Sequence, residues 1–310
     1  VIFVTGATGF VGRTLLPRLA EAGAPLRCLV RPSKRSPRLP SRIPVQLAIG
    51  SLEDTRALRS ALVGVDSVIH LAGQEWRGRH GDLLGVDVNG TRALVEAARE
   101  ANVRRFIFVS HLGADRASAY PVLKAKGIAE EFIRRSGLPY LILRSALLYG
   151  REDVLVNTLA ALIRLSPGVL WLPSDGATVL QPLWVEDLAT CLEWSLADDA
   201  LLDQTLSVGG PEFVTVEALA QLVMEKTGVQ RRVMGANPVL LRWGAWFAEQ
   251  VLPRSPLTEH WLDHFAVNRV TELTSVTRYF NLKPARIEAT LEYLRERRWW
   301  GEVQRLVRGW

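Results

Sequence analysis

Within its first twelve residues the chain carries the pattern that most restricts its fold. An apolar run over 1–5 ends in Thr5-Gly6-Ala7-Thr8-Gly9-Phe10-Val11-Gly12, and an amphipathic stretch over 11–22 follows at once. A strand that turns through closely spaced glycines into a helix has a specific physical use. Gly6 permits the tight turn, Gly9 lets the backbone approach a bulky anion, and Gly12 lets the helix pack closely on the sheet. The helix N-terminus then offers unpaired N–H groups and a partial positive charge to a phosphate. The spacing is GxxGxxG, and its position between strand and helix makes the match specific. Thr8, Phe10 and Val11, with the three glycines, are the candidate phosphate-side contacts.

Further along, short continuous apolar runs at 26–30, 45–49, 67–71, 105–110 and 140–144 alternate with helical patterns at 55–62, 87–101 and 122–136. Apolar runs without polar alternation are how strands buried on both faces read. Alternating strands and helices predict an α/β fold with a doubly wound parallel sheet. After Gly150 the pattern loosens. A helix over 153–165, a strand over 179–185, a helix over 186–197, a strand over 205–208 and a helix over 215–227 precede about 80 mostly helical, Trp-rich residues. The predicted division is a nucleotide-binding domain over 1–150 and a smaller, mainly helical region over 151–310. Residues 178–210 of that region return to the sheet, and the remainder serves substrate binding or docking.

TGATGFVG resembles the short-chain dehydrogenase/reductase superfamily in its extended or atypical branch. Val68-Ile69-His70-Leu71-Ala72-Gly73, Asn89-Gly90-Thr91, Leu143-Arg144-Ser145 with Tyr149-Gly150, Gln181-Pro182-Leu183-Trp184-Val185-Glu186-Asp187 and Gly209-Gly210-Pro211-Glu212 are similar to later motifs of that branch. The likeness covers roughly residues 1–230. It implies a Rossmann fold holding a nicotinamide dinucleotide, with Ala72 and Gly73 at the cofactor and Ser51 and Leu52 near the adenine. Ser51 stands where many relatives carry Asp. The second strand ends in Arg31, followed by Lys34 and Arg35, and no carboxylate occurs between 22 and 52. A carboxylate at this point would repel a 2′-phosphate, whereas a guanidinium binds one. The cofactor expected is NADP(H), with Arg31 and Lys34 at the 2′-phosphate.

The superfamily's chemistry implies a Tyr acid–base group, a Lys that lowers its pKa and binds the nicotinamide ribose, and a Ser that holds the substrate oxygen. Ser110, Tyr120 and Lys124 or Lys126 are the candidates. Tyr120 and Lys124 are spaced i,i+4, one face of a helix. Counting back from Glu130 aligns Lys126 instead, and the residue four before Lys126 is Val122. Both registers stay open. No metal site is expected, because only His260 and His264 are suitably spaced and no third ligand is in view.

Formal net charge is +6, which raises the question of nucleic acid. Arg27, Arg31, Lys34, Arg35, Arg38 and Arg42 lie in one acid-free window that carries the whole excess. The charge thus gathers near the expected 2′-phosphate, and no nucleic-acid motif accompanies it. Two isolated cysteines exclude a disulfide-framed fold, and no apolar run of about 18 residues predicts a membrane span. Two functions follow. One is an NADP(H)-dependent oxidoreductase or epimerase-like enzyme acting on a small-molecule substrate in the cytoplasm. The other is a non-catalytic nucleotide-binding accessory subunit or assembly factor of a membrane redox complex, as in the relatives that resemble the accessory subunit of respiratory complex I. In that case the Trp-rich C-terminus would make peripheral membrane contact.

Overall fold

A computed structural model describes residues 1–33, 39–40, 43–251, 255 and 257–295. The chain forms two compact units. The first comprises Val1–Gln74, Asp82–Ser145 and Val185–Val208; the second comprises Glu75–Gly81, Ala146–Trp184 and Gly209–Trp310.

In chain order the first unit holds β1 (Ile2–Thr5), α1 (Phe10–Glu21), β2 (Leu26–Val30), β3 (Val45–Ile49), α2 (Thr55–Ala61), β4 (Ser67–His70), α3 (Thr91–Glu100), β5 (Arg105–His111), α4 (Pro121–Arg134) and β6 (Tyr140–Ser145). The second holds β7 (Leu148–Tyr149), α5 (Leu155–Leu165), β8 (Val169–Pro173), β9 (Val179–Leu180) and β10 (Leu183–Trp184). The chain returns to the first unit with α6 (Val185–Trp194) and β11 (Gln204–Val208). It then completes the second with β12 (Val214–Thr215), α7 (Val216–Thr227), β13 (Arg232–Ala236), α8 (Pro238–Val251) and short helices beyond.

The main sheet has seven strands in the order β11-β6-β5-β4-β1-β2-β3, and every pairing is parallel. The order reverses between β1 and β4, so the crevice for a ligand lies beyond the C-terminal ends of these two strands. Phe3, Val68, Phe106 and Ile142 from four strands join Leu58, Leu94, Ala98 and Ile133 from the helices in one core. Six sequence-expected strands of the first unit form within a residue or two of their expected ends. The helix expected over 87–101 differs. It is α3 preceded by a π-helical stretch over Leu83–Gly90, which places Asp87 in the widened turn.

In the second unit α5 and α7 pack over β8 and β13, around Leu159, Ile163, Leu172, Leu219 and Val223. The single strand expected over 179–185 is two short strands, because Gln181-Pro182 interrupts it. The Gln181 amide donates to Gly210 O (2.8 Å) and accepts from Thr271 N (2.7 Å), and a proline has no N–H for a ladder. Strands β8 and β13 escaped the sequence reading. Each is only five residues long, and β13 is mostly exposed.

Asp153 caps α5 from a fully buried position, accepting from the N–H groups of Gly150 and Val156 and from the Tyr293 hydroxyl. Burial pushes its carboxyl up to about 6, against those hydrogen bonds. A raised acid holds its proton longer in the folded than in the unfolded state, so ionisation costs stability as pH rises from about 4 to about 6. Replacing Asp153 by Asn removes the titration. Across that window the variant's unfolding midpoint should gain on the wild type's; parallel pH profiles would refute the assignment.

Candidate nucleotide site

The turn after β1 is held from two sides. Gly6 has φ +72°, and a Cβ there would come within 2.6 Å of Ala72 N at the end of β4. A Cβ at Gly12 would come within 2.5 Å of Gly6 O, so the helix can start this close to the loop only with glycine. Gly9 N donates to Gly6 O (2.8 Å) and Gly9 caps α1 with no side-chain bond to the first turn. The first backbone N–H bonded to the cap carbonyl is that of Arg13 (3.0 Å). The N–H groups of the preceding turn face outward from the helix end, where an anion is favoured. Thr8 and Gly9 are exposed at the tip, and Phe10 and Val11 are half-buried.

Beneath this turn lies a buried polar relay. His70 is fully buried; its Nδ1 lies 2.6 Å from Thr5 Oγ1 and its Nε2 2.9 Å from Thr91 Oγ1. The Thr91 hydroxyl donates to Asp87 O (2.6 Å), so its proton is committed there. Nε2 must therefore carry the ring hydrogen, and Nδ1 accepts from Thr5. Burial, and then the nearby Lys126 cation, pushes the imidazole down to about 3, so it stays neutral. The ring stacks on Phe108 at 5.4 Å. Only the position of His70 in its motif pointed here; its partners are 65 and 21 residues away in sequence.

Above His70, Lys126 and Asp87 form a buried pair, Nζ to Oδ1 3.4 Å. Asp87 Oδ2 accepts from Gln74 N (3.0 Å), and the ammonium sits 5.1 Å from the centre of the Phe108 ring. A Cβ on Gly73 would stand 3.0 Å from Asp87 Oδ1 and 3.4 Å from Lys126 Nζ. Gly73 is itself exposed and lies directly over the buried pair, which forms the floor beneath it. The two lysine registers thus separate in space. Lys126 reaches the end of β4, while Lys124 lies on the exposed face of α4.

Tyr120 stands outside α4, as its N-cap, with ψ 119°. The i,i+4 argument that joined it to Lys124 therefore fails, because only residues inside the helix share that face. Val122 is one turn before Lys126 and is buried. Ser110 is fully buried and donates to Glu130 Oε1 (2.6 Å). Glu130 also accepts from Arg144 (2.6 and 2.9 Å) and Arg134 (2.9 Å), and its hydrogen bond, then its charge, hold the Arg144 guanidinium above its ordinary value. The Ser110 proton is thus committed inside the protein.

Arg31 is exposed just past β2, on the crevice side of the sheet. Lys34, Arg35, Arg38 and Arg42 lie outside the described residues. Arg27 lies at the opposite end of β2, where it donates to Ala61 O and Val63 O (both 2.7 Å) and to Gln46. It closes the C-terminus of α2, so not all of the basic window faces the crevice. Ser51 is half-buried after β3, and Leu52 is buried against Gly90, where a Cβ would come within 2.8 Å of it.

Removing one partner of a buried pair strands the other. Lys126→Met should lower stability by about 3–5 kcal/mol in urea unfolding, and adding Asp87→Asn should recover much of the loss. Lys124→Met should stay within about 0.5 kcal/mol of wild type. Equal effects of the two lysine variants would contradict the placement of Lys126.

Residues 6–161 match a family described as NAD(P)H-binding. Over 234 residues the chain is 30% identical to the mitochondrial NADH dehydrogenase [ubiquinone] 1 alpha subcomplex subunit 9 of Arabidopsis thaliana. That alignment covers 73% of this chain and 57% of the plant protein, little over half of its length. Over 244 residues it is 34% identical to the ceramide reductase of Caulobacter vibrioides, covering 78% of this chain and 73% of that protein. The UDP-glucose 4-epimerase of Thermotoga maritima has a similar fold, with TM-score 0.73 and 21% identity over 97% of this chain and 99% of that one. The glycine turn after β1 and the match over residues 6–161 agree, and the fold is that of the sugar-nucleotide epimerase above: the chain belongs to the NAD(P)H-binding family.

Proposed function

We propose that the first unit binds NADP(H) and that the protein works as a nucleotide-binding component of a membrane redox assembly, without tyrosine-dependent turnover. One observation carries this reading: Lys126 occupies the crevice floor with Val122, not a tyrosine, one turn before it. A lysine in this place binds ribose hydroxyls whether or not chemistry follows. Proton transfer to a substrate needs a positioned donor. Ser110 has its proton on Glu130, and Tyr120 lies outside the helix. Gly6, Thr8, Gly9, Phe10, Val11 and Gly12 would hold the pyrophosphate, Ala72 and Gly73 the nicotinamide side, Ser51 and Leu52 the adenine side, and Arg31 with Lys34 the 2′-phosphate. The likeness to a complex I subunit supports the assembly role. Among the described residues no helix is long and apolar enough to cross a membrane, so contact would be peripheral.

The 34% identity to a ceramide reductase favours a second reading, an NADP(H)-dependent reductase. It requires a proton donor other than Ser110 and Tyr120, and the ionisable groups nearest to Gly73 are Asp87 and Lys126.

Calorimetric titration tests the cofactor. NADPH should bind at least about tenfold more tightly than NADH, and Arg31→Ala should shrink the gap. Equal affinities for the wild-type protein would refute NADP(H) preference. Turnover separates the two roles. Bound NADPH should persist in the presence of a panel of carbonyl compounds; steady oxidation that Tyr120→Phe abolishes would establish the tyrosine-dependent enzyme instead.

A further inference from the structure

Strand β3 is the last strand of the seven-stranded sheet and is paired with β2 alone. Just past its end, Gly50 N donates to Val30 O on β2 (3.0 Å). The backbone groups of successive strand residues point to opposite sides of the strand. Gln46, Ala48 and Gly50 therefore face β2, while the N–H and C=O groups of Val45, Leu47 and Ile49 face away from the sheet. Among the described residues none bonds to that outer side. The same three residues share one face of the strand with their side chains, and Leu47 is 49% and Ile49 71% exposed. At the opposite edge of the sheet, Leu206 and Val208 of β11 are buried.

An open edge of this kind is a template for a further strand. Edges that stay single are usually blunted by a charge, a proline or a bulge. Pro44 stands before β3, but Val45-Gln46-Leu47-Ala48-Ile49 contains neither proline nor charge. Its register with β2 runs unbroken from Leu26↔Val45 to Val30↔Ile49, so it has no bulge either.

We infer that β3 pairs antiparallel with β3 of a second copy of this chain, about a twofold axis at Leu47, joining two sheets into one. The residues of the edge select this occupant. A twofold interface meets itself, so a charge on it would face its own like charge. The strand has none, a condition that a foreign strand would not impose, because an oppositely charged edge would serve it equally well. The apolar pattern is also symmetric about Leu47. In that register Leu47 stands against Leu47 of the second copy, and Val45 against Ile49 in both directions. Every outward N–H then donates across the axis and every outward C=O accepts. Shifting the register by two residues leaves an outward residue without a strand opposite it. The contact is smaller than the roughly 1,200–2,000 Å² of stable complexes, so the dimer forms at micromolar concentration and dissociates on dilution. The inference goes beyond the nucleotide reading and uses none of the residues proposed to hold the dinucleotide.

Sedimentation velocity on the full chain, from about 1 to about 100 μM, tests it. Wild-type protein should pass from monomer to dimer across that range. Leu47→Lys and Leu47→Glu should each weaken association at least about tenfold, because each sets like charges face to face at the axis. An equal mixture of the two should associate at least about tenfold more tightly than either alone, and added salt should weaken that recovery. Leu47→Pro removes an outward N–H and none that β2 uses, so it should stay folded in urea unfolding yet remain monomeric. Should the proline unfold the chain, the lysine and glutamate pair still decides. Amide exchange gives a readout on the unaltered chain: the Leu47 and Ile49 amides should exchange rapidly at about 1 μM and slowly at about 100 μM. A wild type that stays monomeric at about 100 μM, a dimer indifferent to both charged variants, or a mixture no better than its components would overturn the proposal. NADPH affinity, measured on the same variants, reports the nucleotide reading separately.

Discussion

The neutral imidazole of His70 is the joint on which the crevice depends. One ring nitrogen accepts from the strand that leads into the glycine turn, and the other donates to the start of α3. Either bond alone would be a modest contribution, worth about 1 kcal/mol. Together they fix β1, β4 and the π-helical stretch in one register, and that stretch carries Asp87. Asp87 in turn holds Lys126, so the position of the crevice floor descends from a ring that never carries charge. Burial of the ring, and then the Lys126 cation beside it, hold the imidazole far below its ordinary value.

Lys126 and Asp87 illustrate how burial changes the meaning of a charge. An exposed lysine would present a full positive charge to a dinucleotide, but here the ammonium is matched by a carboxylate and faces the Phe108 ring. The local net charge of the floor is close to zero. In the proposed nucleotide site, diphosphate attraction therefore falls on the backbone N–H groups at the start of α1, which are uncharged dipoles. Glu130 repeats the logic one turn further along the same face of α4, where one buried carboxylate gathers Ser110, Arg134 and Arg144. In both places a group that looks catalytic in sequence is bound to a neighbour that sequence spacing does not reveal.

The fold was legible because its signals are local. Continuous apolar runs, glycines between strand and helix, and the strand–helix alternation each occupy a few adjacent residues, and they placed six strands of the sheet and the phosphate-side turn. The split of the 179–185 strand was missed because its cause is the side chain of Gln181 reaching Gly210 and Thr271, which no window around 181 contains. The lysine question had the same character. Tyr120 and Lys124 satisfy a four-residue spacing on paper, but Pro121 starts the helix one residue too late for that spacing to apply. Whether Lys124 or Lys126 turns inward depends on which face of α4 meets the sheet, and that was written in Glu130 and Ala129 further along. The basic window misled differently. Arg27 and Arg31 are four residues apart, yet along a strand that is about 13 Å, enough to put them at opposite ends of the sheet.

That separation has an evolutionary consequence. Arg31, Pro32 and Ser33 are exposed just past the end of β2, whereas the turn, the imidazole and the buried pair are locked to one another. Substitution at exposed positions of this kind usually changes stability by less than about 0.5 kcal/mol. Under the proposed role of Arg31, the preference between phosphorylated and unphosphorylated dinucleotides can therefore drift in descendants of this chain without disturbing the crevice, while almost any change at positions 6, 70, 87 or 126 must be accompanied by another. Lineages should differ first in which nicotinamide they carry and last in how they hold it.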